Sequence, residues 1–71
     1  MKGSRVFARE AADRILVLLS QTRRAERSRQ KVLRQQVRDL GFYISDWSRP
    51  AAGFRPEDFE DLVTRGLITI T

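Results

Sequence analysis

Seven cationic side chains stand within residues 22–38, a stretch that reads TRRAERSRQKVLRQQVR and contains one acid, Glu26. Six of the seven are arginines, whose planar guanidinium groups suit two-point contacts with phosphate or with the edge of guanine. The whole chain has a net charge of +5, and this stretch carries all of that excess. Such a concentration of one sign indicates a surface that binds a polyanion.

The spacing of these cations matters because a helix is predicted from Thr22 or Arg24 to Leu40, with Gly41 in the position that commonly ends a helix. On a wheel of about 100° per residue, six cations fall in one narrow stripe, and the apolar residues fall opposite. Arg29 is the exception, because it falls among the apolar residues. The stripe consists of Arg23, Arg24, Arg27, Lys31, Arg34 and Arg38, and the apolar side of Ala25, Val32, Leu33, Val37 and Leu40.

Two interpretations of the stripe compete: a solvated helix face and a binding surface. Like charges four residues apart cost about 0.2–0.5 kcal/mol per pair, and the predicted helix contains three such pairs. This repulsion favours an anionic partner, and phosphate is the commonest candidate. The sequence therefore predicts a nucleic-acid-binding module, DNA ahead of RNA, in which the loop residues Arg49 and Arg55 assist the stripe. The alternative is an adaptor or inhibitor module whose basic helix binds an acidic protein surface.

Other functional classes find little support. The chain has no histidine and no cysteine, so the usual general bases and nucleophiles are missing and we predict no enzyme activity, no cofactor and no metal site. Asp46 with Asp58 and Asp61 could hold a divalent cation, but acids at a helix start are favoured by the helix dipole alone. The longest apolar run, ILVLL, is too short for a membrane span. We therefore expect a soluble, cytoplasmic protein without a membrane partner.

The elements that would position the stripe form a helix-rich α+β fold. Their predicted order is helix, helix, strand, loop, helix, strand, with two long N-terminal helices and a small two-stranded ribbon. The predicted spans are a helix from Arg5 to about Ser20, the helix of the stripe, a strand at 42–45, a loop at 46–55, a helix from Pro56 that ends at Gly66, and a strand at 67–71.

The third predicted helix reads PEDFEDLVTR and carries four acids, which phosphate would repel. It is therefore not expected to be a recognition helix of the helix-turn-helix type. The residues predicted to build the small core with the first helix are Phe42, Ile44, Phe59, Leu62, Val63 and Leu67. Tyr43 and Trp47 are predicted in the core or an interface, with base stacking as the alternative.

The length of 71 residues predicts one domain over 1–71, with residues 1–3 disordered. The apolar arc of the first helix is too wide for one small core. A chain this short has little other stabilisation, so a homodimer is predicted.

Overall fold

The computed structural model describes residues 3–47 and 54–71 of the chain. The predicted class, a helix-rich α+β fold with two long N-terminal helices, is confirmed. No helix within these ranges is both long and apolar enough to cross a bilayer. In chain order the elements are β1 (Val6–Phe7), α1 (Arg9–Arg24), α2 (Arg27–Asp39), a 3-10 helix (Ile44–Asp46), α3 (Pro56–Thr64) and β2 (Thr69–Ile70).

The small sheet joins residues near the two ends of the chain. β1 and β2 run parallel, with Val6 opposite Thr69 and Phe7 opposite Ile70. β1 thus takes two residues that were predicted to begin the first helix, and α1 starts later, at Arg9. Val6 is exposed and Phe7 is buried, the alternation expected of a strand with one face on the core.

The strand predicted at residues 42–45 is wrong, because the chain turns inward at that point. Phe42 is fully buried immediately after the end of α2, and Ile44–Asp46 forms a single turn of 3-10 helix. The partner that β2 requires is supplied by β1 instead. Of the predicted loop at 46–55, residues 48–53 lie outside the described ranges.

Glycines end two of the helices, as predicted. Gly41 follows α2 with a φ of 99°, and Gly66 follows α3 with a φ of 77°. At the end of α2, the amide of Gly41 donates to the carbonyl of Arg38 at 2.8 Å, and the amide of Phe42 donates to that of Val37 at 3.4 Å. This pair of bonds is the Schellman motif, which satisfies carbonyls left unpaired at a helix end.

The two glycines differ in their surroundings, which predicts different costs for replacement by alanine. Both replacements place a Cβ in the left-handed region, at a cost of about 1–2 kcal/mol. A Cβ at Gly66 meets nothing within 4 Å, whereas one at Gly41 lies 3.3 Å from Ser4 Oγ. We expect Gly41→Ala to lower the free energy of unfolding more than Gly66→Ala does, as measured by urea denaturation. Equal losses would show that strain alone sets the cost.

The break between the first two helices lies later than predicted. α1 runs to Arg24, Ala25 and Glu26 adopt extended conformations, and α2 begins at Arg27. The side chain of Gln30 returns to the turn, where its amide donates to the carbonyl of Ala25 at 3.0 Å. Arg23 and Arg24 therefore end α1 instead of beginning α2, so they belong to a different helix from the other cations of the predicted stripe.

The core is built around α1 and a cluster of phenylalanine rings. Phe59 and Phe42, both predicted core residues, meet edge to face with ring centroids 5.0 Å apart. Leu67, also predicted to be buried, is partly exposed, and its neighbour Ile68 is buried in its place. Among the described residues, the fully or nearly fully buried side chains are Phe7, Ala12, Ile15, Leu18, Leu19, Leu33, Val37, Phe42, Phe54, Phe59, Leu62 and Ile68.

The wide apolar arc of α1 is covered within the protomer. α2 and α3 both pack against α1, so its buried residues face two neighbours from the same chain. Val17 remains 46% exposed on α1, and a single exposed apolar side chain is ordinary for a monomer. The homodimer therefore stays a prediction, and the wide apolar arc of α1 no longer supports it.

Candidate nucleic-acid interface

Four of the predicted cations form one exposed row along α2. We call Arg27, Lys31, Arg34 and Arg38 the basic row. All four side chains are exposed. Their spacing of four, three and four residues keeps them within about 60° of one another around the helix, over a length of about 16 Å. α2 therefore presents a continuous positive edge to solvent.

The basic row is electrostatically uncompensated. Over residues 3–47 and 54–71, none of its members forms an ion pair with a carboxylate. Two pairs of like charge, Arg27 with Lys31 and Arg34 with Arg38, stand four residues apart, one fewer than the sequence predicted because α2 starts at Arg27. Each pair costs a few tenths of a kcal/mol.

The first turn of α2 adds to the electrostatic cost of these like charges. It contains Arg27 and Arg29 and no acid, although the positive end of the helix dipole disfavours cations by about 0.3–1 kcal/mol each. Arg29 is exposed at the beginning of α2 and does not lie within the core. The later helix start thus accounts for the exceptional position of Arg29 on the wheel.

Arg23 and Arg24 do not continue the basic row. They occupy the last turn of α1, where cations are favoured by the negative end of the helix dipole. With Ser20, they line a groove whose other wall is the start of α3, Pro56 and Glu57. The prediction of a single stripe of six cations is therefore wrong. The six cations form the basic row on α2 and a separate pair, Arg23 and Arg24, on α1.

Of the two loop arginines, Arg55 pairs with acids at the start of α3 instead of extending the basic row. Arg55 precedes α3, and its Nε lies 3.6 Å from Asp58 Oδ2 and 3.8 Å from Glu57 Oε2. Asp58 also accepts a hydrogen bond from the backbone amide of Arg55 at 2.8 Å, which caps α3 at the predicted position before Pro56. Arg49 lies outside the described residues.

Tyr43 stands at the C-terminal end of the basic row. The guanidinium carbon of Arg38 lies 5.5 Å from the centroid of the tyrosine ring, within the range of a cation–π contact. Tyr43 is half-buried, as is Trp47, which packs against the core and lies 5.9 Å from the guanidinium carbon of Arg5. The contact with Tyr43 restrains Arg38 while leaving it exposed.

A second exposed row, which the sequence prediction missed, runs beside the first. It consists of Ser28, Val32, Gln35 and Asp39, and we call it the polar row. The wheel had placed Val32 on the apolar side, yet it is 47% exposed. The spacing of the residues could have predicted this second row. Each of its members directly follows a member of the basic row in the sequence, so the two rows share the same spacing along the helix.

The acidic residues do not gather into a metal site. Asp46 accepts a hydrogen bond from the amide of Gly3 at 2.8 Å. Asp61 forms an ion pair in which its Oδ2 lies 3.4 Å from Arg65 Nη1. Within the described ranges, no three acidic side chains are placed to hold a metal ion.

Comparisons of the chain with protein-family models, curated proteins and solved structures gave no match.

Proposed function

We propose that the protein binds nucleic acid, DNA ahead of RNA, through the basic row on α2. One observation carries this proposal: four cations stand in a line on one helix, all exposed, with no carboxylate partner among the described residues. The acids of α3 lie on a different element and are partly occupied by Arg55 and Arg65. The four cations of the basic row repel one another, and bound phosphates would supply the negative charge that offsets this repulsion.

The composition of the basic row supports phosphate as the ligand. Three of its four members are arginines, which form two parallel hydrogen bonds with a phosphate group. The contact with Tyr43 orients Arg38 before any ligand arrives, which reduces the entropy lost on binding.

Binding through the basic row predicts a steep dependence on salt. Each phosphate contact releases condensed counterions, so the logarithm of duplex affinity should fall against the logarithm of salt with a slope of about −0.9 per contact. Four contacts give a slope of about −3 to −4, measured by fluorescence anisotropy with a labelled duplex from about 50 mM salt upwards. Absence of binding to duplex and single strand at the lowest salt would contradict the proposal.

A second candidate is an acidic protein surface. The pairing of Arg38 with Tyr43 favours it, because arginine and tyrosine are enriched in protein interfaces and in their energetic centres. A pull-down from lysate with and without nuclease separates the two candidates. Partners that are still captured after nuclease treatment would support binding to an acidic protein surface. Partners that are lost with the nucleic acid would support the first proposal.

A further inference from the structure

The outward surface of α2 is divided between two parallel rows of different chemistry. The buried residues Leu33 and Val37 define the side that faces α1. On a wheel of about 100° per residue, the direction opposite them falls between the basic row and the polar row. The part of α2 most accessible to a large ligand is therefore cationic along one edge and free of cations along the other.

The dimensions of this surface fit the major groove of duplex DNA. The groove is about 12 Å wide and admits an α-helix. The two rows lie about 100° apart around the helix. If the basic row follows the phosphates of one strand, the polar row faces the floor of the groove, where the base edges are. The major groove of an RNA helix is too narrow for side chains to read.

The residue types of the polar row match the chemistry of base edges. Gln35 can read adenine, the methyl groups of Val32 can contact the methyl of thymine, and the hydroxyl of Ser28 can donate or accept. Phosphate contacts position a protein on DNA, whereas contacts of these kinds distinguish sequences.

The amide of Gln35 is oriented for one base in particular. Its Nε2 donates to Asp39 Oδ1 at 2.9 Å. A carboxylate only accepts hydrogen bonds, so this contact determines which end of the amide is the donor. The second hydrogen on Nε2 is left to donate to adenine N7, and Oε1 is left to accept from adenine N6, which is the two-point pairing of glutamine with adenine.

We propose that α2 enters the major groove of duplex DNA and that Gln35 reads an adenine there, with Asp39 as its positioning residue. This inference rests on the proposed function and narrows its partner to DNA with a preferred sequence. It assigns different roles to the two rows: the basic row supplies affinity for any duplex, and the polar row supplies the discrimination between sequences.

The test starts from a pool of duplexes with a randomised central segment, from which the full chain selects its preferred sequence. We expect a consensus that contains adenine. Replacing that adenine with 7-deazaadenine removes the N7 acceptor and should weaken wild-type binding by about tenfold. The Gln35→Ala variant should bind both duplexes equally, with the salt slope of the wild type. The exposed position of Gln35 leaves the core intact, which a thermal melt checks.

The matched control is Gln36→Ala, which removes a glutamine on the side of α2 that lines a groove with Arg14 and Leu18. It should retain the response to 7-deazaadenine. Salt-dependent binding without a consensus, or an equal response of wild type and Gln35→Ala to 7-deazaadenine, would overturn this inference and leave the proposed function standing. Absence of binding to every duplex in the pool would also overturn this inference, and absence of binding to single strands as well would overturn the proposed function.

Discussion

Replacing Phe59 with alanine is expected to lower the free energy of unfolding by about 3–5 kcal/mol, the range for removing a buried phenylalanine side chain. Phe59 is completely buried, and its ring centroid lies 6.1 Å from that of Phe7 and 5.0 Å from that of Phe42. A domain of this length has a small core and little stability to lose. We therefore expect far-ultraviolet circular dichroism to show a largely unfolded population at 25 °C.

The control for this prediction is Val17→Ala. Val17 is nearly half exposed on α1, so its truncation should change the stability by no more than about 0.5 kcal/mol. A Phe59→Ala variant that melts with the wild type would show that the phenylalanine cluster does not hold α3 and β1 together.

Replacing Arg27 and Arg34 together with glutamine is expected to reduce the salt slope of duplex binding by roughly two units, since two of the four proposed phosphate contacts would be lost. At low salt the affinity should fall by roughly one to two orders of magnitude. Glutamine keeps the helix propensity, and both side chains are exposed. Folding should therefore survive, so that the change in slope measured by anisotropy reports contacts alone.

The matched control removes the same number of charges from the two residues that flank α3, Arg55 and Arg65. Arg55 and Arg65 each lie within 4 Å of a carboxylate, in pairs that are partly or largely exposed, so their loss should cost little stability. The double variant Arg55→Gln with Arg65→Gln should leave the slope within about one unit of the wild type. Equal losses in the two double variants would mean that net charge, and not the basic row, determines binding.

Local features of the chain were predicted well, because they depend on residues that are close in sequence. Pro56 begins α3, since its fixed φ suits the first helical position and it has no amide to leave unpaired. Gly41 and Gly66 end their helices, since glycine adopts positive φ without strain. The basic row itself follows from the helical period, which depends only on spacing within α2.

The pairing of the sheet could not be predicted from local pattern. Residues 42–45 and 67–71 both have strand-like composition, yet β2 pairs with Val6 and Phe7, more than sixty residues earlier. A two-residue strand carries almost no periodic signal. Its position depends on Phe7 reaching the rings of Phe42 and Phe59, which is a property of the assembled core.

The extent of the basic surface was likewise decided by tertiary structure. Leu33 and Val37 each follow an apolar residue of α1, Ile15 and Leu19, by eighteen residues, which is five full turns. A wheel therefore places all four on one side and gives no sign of a break.

An unbroken helix would hold those two apolar pairs about 27 Å apart along its axis, whereas the turn at residues 25–26 brings them into one core. The sequence by itself determined where α2 and α3 end, where α3 begins, that Phe42 and Phe59 are buried, and the spacing of the cations on α2, because each depends on neighbouring residues. Tertiary structure alone decided which cations share a helix and that Val32 is exposed. Burying apolar surface against α1 sets where the chain turns and which side of α2 remains in solvent.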